Sequence, residues 1–260
     1  MEAAFFDLDK TVIAKATLVA YSQPLRQEGY ISHWLMARAL WAHLVFNRIG
    51  ASEERLRRYR EQALRIAKGW DQVRLSELVR ETIADIIDPL VYDEALELID
   101  SHRDAGRRVY LVSASPLEIV APLGAYLGVD DVIATRAQID EHLRYTGEVE
   151  FYAYGANKVV AIEAEVAQHG IDMERSYAYS DSHTDVPLLA AVGHPVAVNP
   201  DRELLRIATA RGWEIRRFER PVAMRSRLAL PSRRTAVISG GTAAAMAALA
   251  GAGWAWARNR

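Results

Sequence analysis

Carboxylate and hydroxyl side chains recur at the points where the sequence predicts that buried strands end. Asp7 and Asp9 follow the apolar residues AAFF, Ser113 closes the run VYLVS, and Asp181 and Asp185 follow SYAYS. Carboxylates that share one crevice repel each other strongly unless a cation lies among them. Oxygen ligands, together with the absence of cysteine from the chain, favour Mg²⁺ over softer metals. The sequence therefore predicts a magnesium site at these strand ends.

The order of the predicted elements explains why these side chains would meet. Residues 3–8 form a short buried strand, residues 15–105 have helical apolar spacing and predict four or five helices without a strand, and residues 107–217 alternate between strand and helix. Lys158 opens the helix before the strand SYAYS. Such alternation predicts an α/β fold with a doubly wound parallel sheet, whose ligands bind beyond the carboxyl ends of the strands.

The predicted boundaries in the alternating part are specific enough to be checked. The strands are expected at 109–113, 132–135, 176–180, 195–198 and 213–217, and the helices at 117–127, 157–169, 186–192 and 201–211. Residues 138–150 look like a small hairpin that returns near residues 145–147.

Composition excludes several classes of protein. The 260 residues include 32 Lys and Arg against 34 Asp and Glu, and 50% are hydrophobic, which excludes a disordered chain, a fibre and a multi-span membrane protein. The net charge of −2 hides an asymmetry, because residues 216–260 hold nine arginines and one acid. The acidic body predicts no nucleic-acid partner, whereas the basic tail suits anionic lipid headgroups or nucleic acid.

The motifs closely resemble those of the haloacid dehalogenase (HAD) superfamily of phosphatases. The family's D-x-D-x-T reads here as residues 7–11, its strand ending in Ser or Thr as residues 111–113, its lysine as Lys158, and its D-x3-D as Asp181 to Asp185. The segments FFDLDKTV, YTGEV and YSDSHTDVPLL are similar to subfamily IB, the phosphoserine-phosphatase-like group. The resemblance covers roughly residues 3–217.

The resemblance also implies a division of the chain into domains. A HAD-like Rossmannoid core would comprise residues 1–14 and 102–218, and an inserted helical-bundle cap would comprise residues 15–101. Beyond the resemblance, the Pro and Arg content of residues 219–234 predicts a basic linker.

The resemblance assigns a role to each residue of the motifs. Asp7 would attack phosphorus to give an aspartyl-phosphate, and Asp9 would protonate the leaving oxygen and later deprotonate the attacking water. Ser113 would donate a hydrogen bond to a phosphoryl oxygen, and Lys158 would stabilise the developing negative charge. Asp185 would lie close to the metal or orient Lys158. The implied metal set is Asp7, Asp9 (through its backbone carbonyl), Asp181 and Asp185.

The expected function is Mg²⁺-dependent hydrolysis of a small phosphorylated metabolite, either phosphoserine-like or lipid-like. Two alternatives stay open: a phosphotransferase that uses the same covalent intermediate, and a non-catalytic protein that uses the fold to bind a partner or a phosphorylated ligand. The oligomeric state is not predicted.

Two features bear on the substrate. Phosphoserine phosphatases carry a Glu nine residues after the nucleophile to pair with the substrate ammonium, and this chain has Ala16 there, beside Lys15. Residues 30–49 are apolar, with Trp34 and Trp41 on one helical face. This stripe is typical of a cap core, or else of an apolar substrate wall or a membrane-facing patch.

The C-terminal tail is a candidate membrane anchor. Residues 235–257 carry no charge and as a helix would span about 34 Å, enough for a hydrocarbon core of about 30 Å. Many of its residues are Ala or Gly, which contribute little to insertion. No signal peptide is evident at the N-terminus. We therefore expect a cytoplasmic catalytic domain with predicted membrane association through this tail.

Overall fold

The fold is built on one sheet, seen in a computed structural model that describes residues 1–31 and 66–220. The strands are β1 (Ala3–Asp7), β2 (Arg108–Pro116), β3 (Asp131–Ile139), β4 (Tyr145–Phe151), β5 (Tyr177–Ser180), β6 (His194–Val198) and β7 (Glu214–Arg216). Their order across the sheet is β4-β3-β2-β1-β5-β6-β7. All neighbouring pairs are parallel except β3 and β4.

Helices connect the strands. They are α1 (Thr17–Ala20), α2 (Ser22–Gln27), α3 (Gln72–Ile86), α4 (Asp93–Asp104), α5 (Leu117–Leu127), α6 (Ala156–His169), α7 (Val186–Ala190) and α8 (Arg202–Arg211). Short 3₁₀ turns lie at Asp88–Leu90, Met173–Arg175 and His183–Asp185. Asp71 begins α3 by accepting a hydrogen bond from the Arg74 amide at 3.0 Å, as an N-cap residue does.

The predicted doubly wound parallel sheet is confirmed. Strand order reverses at β1, which pairs with β2 on one side and with the much later β5 on the other. The carboxyl ends of β1, β2 and β5 therefore lie side by side at the switch point, where the sequence placed its ligand site.

The predicted hairpin at 138–150 is wrong in its extent and in its turn. The antiparallel pair starts earlier, in β3, and the chain returns at residues 140–144, whereas residues 145–147 lie inside β4. The Asp140 carboxylate stabilises this turn by accepting hydrogen bonds from the His142 and Arg144 amides, both at 2.9 Å. Leu143 takes the left-handed conformation (φ 58°) that a tight return requires, without a glycine to signal it.

The predicted boundary between cap and core at residue 101 falls inside the continuous helix α4. This helix packs against β1 and β2 and buries Ala95 and Ile99 completely. The amphipathic spacing of α4 in the sequence is the same as that of a cap helix. Its packing against the sheet, which the sequence does not show, distinguishes it from one. Further domain boundaries stay predictions.

Strand β1 is buried on both faces. Phe5 stacks on Tyr110 at a ring distance of 5.2 Å, and Phe6 stacks on Tyr179 at 4.3 Å on the opposite side. Burying a phenylalanine side chain contributes about 1.5–3 kcal/mol. The strand that ends at Asp7 is thus among the most firmly packed parts of the fold.

A buried histidine lies behind this strand. His102 in α4 is 4% exposed, and its Nε2 lies 2.8 Å from the Tyr179 hydroxyl. Burial lowers the pKa of His102 to about 4, and the positive charges of Arg107 and Arg216 add to this effect. The imidazole is therefore neutral at pH 7.

We expect His102 to make the fold sensitive to mild acid. Its imidazole titrates near 6.5 when unfolded and near 4 when folded, so the unfolded chain gains a proton as the pH falls through this window and stability is lost. His102→Gln should reduce the slope of the unfolding free energy against pH by up to about 1.4 kcal/mol per pH unit. Urea denaturation between pH 4.5 and 7.5 measures it. The exposed control His142→Gln should keep the wild-type slope, and equal slopes for all three proteins would contradict the prediction.

Several predictions lie outside the described residues. These are the tryptophan stripe at 34 and 41, most of the basic linker and the candidate anchor at 235–257, all of which stay predictions. Within residues 1–31 and 66–220, no helix is both long enough and apolar enough to cross a membrane.

Candidate active site

The sheet brings the predicted site residues to one edge. Asp7 ends β1 and pairs with Val112, so that Ser113 follows directly beside it. On the other side of β1, Phe6 pairs with Tyr179, which places Ser180 and Asp181 next to the same strand end. The three predicted clusters therefore converge because their strands are parallel neighbours.

The chain turns sharply after β1. The Leu8 carbonyl accepts hydrogen bonds from the Val12 and Ile13 amides at 3.0 and 3.1 Å, and Lys10 takes a left-handed φ of 62°. The Thr11 hydroxyl donates a long hydrogen bond of 3.4 Å to Asp7 Oδ2. The chain therefore bends directly after Asp7 and does not continue in the direction of β1.

Lys158 is the central contact of the site. Its Nζ, in the first turn of α6, donates to Asp7 Oδ1 and to Asp185 Oδ2, both at 2.7 Å. The lysine is 3% exposed. Ser180 donates to the same Asp185 oxygen at 2.7 Å. Asp185 thus contacts Lys158 directly, as one of the two roles that the sequence left open for it would require.

Burial and charge act on these groups in opposite directions. Burial alone lowers the pKa of Lys158, but the Asp7 and Asp185 carboxylates more than reverse this and leave the pKa raised. Burial raises the pKa of Asp7 well above its usual range, against the opposing charge of Lys158. Burial also raises the pKa of Asp181 to about 7, with the charge of Lys10 opposing the rise. The Lys158 ammonium therefore stays charged, and the carboxyl groups around it outnumber this single positive charge.

Asp9 is held on the side of β2. Its Oδ1 accepts hydrogen bonds from the Thr17 amide at 2.8 Å and from the Thr17 hydroxyl at 2.7 Å. Its Oδ2 accepts one from the Ser115 hydroxyl at 3.3 Å, and the Ser115 and Thr17 hydroxyls lie 2.6 Å apart. Ser113 is 1% exposed, and its hydroxyl accepts a hydrogen bond from the Ser115 amide at 3.1 Å. Asp7 and Asp9 thus have separate sets of partners.

The sequence pattern of the haloacid dehalogenase-like hydrolases matches residues 4–190, which include every one of these side chains. The chain belongs to this family. Its HAD core is therefore the sheet described above, with the first motif at the end of β1.

Named relatives extend this assignment. A Streptomyces azureus protein named "Inhibition of morphological differentiation protein" is 47% identical over 99% of this chain and 93% of its own length. A probable phosphatase of Mycobacterium tuberculosis is 43% identical over 95% of this chain and 85% of its own length. A phosphoserine phosphatase of the same species, SerB1, is 33% identical over 94% and 80%. With the family match, these relatives identify the HAD-family chain as a phosphatase.

A solved structure has the same fold. A Bordetella pertussis protein of unknown function superposes with a TM-score of 0.70 at 32% identity, and the match covers 82% of this HAD-family chain and 97% of the other.

The donor set suits a hard divalent cation. Three buried carboxylates, Asp7, Asp181 and Asp185, face one buried ammonium, which leaves an excess of negative charge. Within the described residues, the Asp181 carboxylate accepts no hydrogen bond and is open to a ligand. Within residues 1–31 and 66–220, no group of three or more His, Asp or Glu side chains is placed so that it could hold a metal ion by itself. Mg²⁺ does not need one, because it keeps several waters and binds through one or two carboxylates plus substrate phosphate.

The hydroxyl groups that hold the acids were not predicted from the sequence. Thr17 and Ser115 donate hydrogen bonds to Asp9, and Ser180 donates one to Asp185. Ser115 and Ser180 lie at strand ends, which is a usable signal. Thr17 lies eight residues from Asp9, and only the folded turn brings them together.

Proposed function

We propose that this HAD-family phosphatase is a Mg²⁺-dependent phosphomonoester hydrolase that forms an aspartyl-phosphate on Asp7. The observation that carries the proposal is the pair of buried 2.7 Å contacts from Lys158 to Asp7 and Asp185. A lysine held charged against the carboxylate at a strand end is suited to stabilise the negative charge of a phosphoryl group transferred to that carboxylate.

The first half of the proposed reaction forms the covalent intermediate. Asp7 attacks phosphorus, the bond to the leaving oxygen breaks, and Asp9 gives that oxygen its proton. Lys158 and the Ser113 hydroxyl stabilise the transferring group. In the second half, Asp9 takes a proton from water, which attacks phosphorus, restores the Asp7 carboxylate and releases inorganic phosphate.

The proposed cation would be held by the carboxylates of Asp7 and Asp181 and by the backbone carbonyl of Asp9. When bound, it supplies positive charge that offsets the repulsion between the phosphoryl group and Asp7. Asp185, which is occupied by Lys158 and Ser180, would act through Lys158 and not as a direct ligand.

The proposed substrate is a small phosphorylated metabolite whose recognition differs from that of phosphoserine. The SerB1 relative is named a phosphoserine phosphatase, but Ala16 cannot pair with an ammonium group. Glu28, an acid further along this segment, forms an ion pair with Arg74 at 3.2 Å. A panel that contains phosphoserine and lysophosphatidate would separate the amino-acid-like from the lipid-like substrate, and inertness towards all lipids would discard the latter.

Metal removal tests the proposal directly. After EDTA treatment and dialysis, hydrolysis of a generic aryl phosphate should fall to the rate of the enzyme-free blank, and added Mg²⁺ should restore it, because the excess carboxylate charge would repel the substrate. Addition of Mg²⁺ to Asp7→Asn serves as the control and should restore nothing. Retention of more than half of the rate after EDTA treatment would contradict metal dependence.

A further inference from the structure

Asp201 links the loop at residues 181–185, which carries the D-x3-D motif, to the start of helix α8. It lies at the start of α8, where its Oδ1 caps the helix by accepting from the Leu204 amide at 2.7 Å. Its own amide donates to the Asp181 carbonyl at 2.8 Å. Its Oδ2 accepts from the His183 amide at 2.9 Å and lies 2.8 Å from His183 Nδ1. One residue therefore fixes the backbone on both sides of residue 182.

Asp201 is itself held in place by the segment that follows β7. Asn199, with a left-handed φ of 43°, donates from Nδ2 to the Phe218 carbonyl and accepts from the Phe218 amide, both at 3.0 Å. Its own amide donates to the Arg216 carbonyl at 3.0 Å. Phe218 is 4% exposed. The turn that carries Asp201 is thus attached to the last strand and to a buried aromatic side chain, which makes it a firm support.

Asp181 needs such a support because its side chain has none. Within the described residues, no hydrogen bond holds its carboxylate, in contrast to Asp7, Asp9 and Asp185. The position of its carboxylate therefore depends on its backbone and on the nearby charge of Lys10. Groups that orient a metal ligand without touching the metal commonly influence affinity about 10- to 100-fold.

We propose that Asp201 is a positioning residue for Asp181, holding residues 181–183 so that the Asp181 carboxylate faces the same site as Asp7. This inference rests on the proposed function, in which Asp181 binds the cation. Asp201 acts through the loop, without contact to substrate or metal.

Asp201→Asn separates this role from helix capping. As an N-cap residue, Asn can still accept a hydrogen bond from the Leu204 backbone amide through its side-chain oxygen. Its side-chain NH₂ group would then face the His183 backbone N–H, and because both groups are donors, that hydrogen bond is lost. We expect Mn²⁺ binding, measured directly by electron paramagnetic resonance titration, to weaken about 10-fold. Glu203→Gln is the matched control, because it removes one negative charge from the same helical turn while the side chain of this exposed acid hydrogen-bonds to Arg206. It should bind Mn²⁺ as the wild type does.

The outcomes separate the inference from the function on which it rests. If the wild type binds Mn²⁺ and Asp201→Asn binds it equally well, the positioning role is overturned while the proposed function stands. Equal weakening in Glu203→Gln also overturns it. A wild type that binds no Mn²⁺ overturns both. If Asp201→Asn fails to fold, His183→Ala provides the test. This substitution removes the contact between the imidazole and Asp201 and leaves the hydrogen bond from the residue 183 amide to Asp201. It should weaken Mn²⁺ binding about 3-fold, which is part of the effect expected for a group that orients a metal ligand.

Discussion

Asp7→Asn is expected to lower the turnover of a generic aryl phosphate by on the order of 10⁴-fold or more, because an amide cannot accept the phosphoryl group. The protein should remain folded, since the amide oxygen of Asn can still accept the hydrogen bond that Lys158 donates to Asp7 Oδ1 at 2.7 Å. Steady-state rates at saturating Mg²⁺, compared with thermal unfolding of the same samples, measure both quantities.

Asp104→Asn is the control for this substitution. Asp104 is an exposed aspartate at the end of α4, away from the strand ends, and its replacement should leave turnover unchanged. Turnover by Asp7→Asn within 10-fold of wild type would contradict the role of Asp7 as nucleophile.

Lys158→Met is expected to reduce both stability and catalysis. Met has a similar length but no charge, so Asp7 and Asp185 lose the ammonium that both contact at 2.7 Å. Leaving buried carboxylates uncompensated costs about 3–5 kcal/mol of unfolding free energy. Loss of a charge that stabilises the transferring group lowers kcat by about 10²- to 10³-fold. Urea denaturation in EDTA and steady-state kinetics in Mg²⁺ measure the two effects.

The stability loss in Lys158→Met should depend on pH in a defined direction. Burial already raises the pKa of Asp7, and removal of the lysine that opposes the rise would raise it further. A carboxyl whose pKa is raised on folding contributes stability below its unfolded pKa of about 3.9 and loses it as the pH rises through the folded value. The loss of unfolding free energy in Lys158→Met, relative to the wild type, should therefore be smaller at pH 5 than at pH 8. The exposed control Lys68→Met should show no deficit at either pH, and a larger deficit at pH 5 would contradict the assigned charges.

Local patterns in the sequence predicted the parts of the fold that short-range physics controls. The run AAFF at β1 is apolar throughout because the strand is buried on both faces, and its acidic end is unusual enough to mark a site. Strand–helix alternation after residue 107 predicted the parallel sheet, and the sheet then placed Asp7, Ser113 and Asp181 at one edge. Lys158 was predicted from the family resemblance, and the structure gives it two carboxylate partners.

Features that depend on distant contacts were predicted less well. The turn at residues 140–144 depends on a side chain, Asp140, which accepts hydrogen bonds from the backbone, and on a leucine with positive φ that no turn pattern signals. The predicted cap boundary falls inside α4, because that helix has the spacing of any amphipathic helix. The contact of Thr17 with Asp9 exists only because the chain turns after β1. The link from Asp201 to Asp181 joins the start of α8 to the loop after β5, 20 residues earlier in the chain.

The central claim is that a phosphoryl group becomes attached to Asp7 during turnover. Rapid acid quenching of the enzyme with a radiolabelled aryl phosphate, followed by trypsin digestion, tests it most directly. Cleavage after Lys10 releases residues 1–10, which contain both Asp7 and Asp9, and fragmentation in the mass spectrometer tells the two apart. The predicted result is a hydroxylamine-sensitive phosphoryl group on Asp7. Steady turnover with no labelled protein, or label carried by Asp9 or by another peptide, would contradict the account.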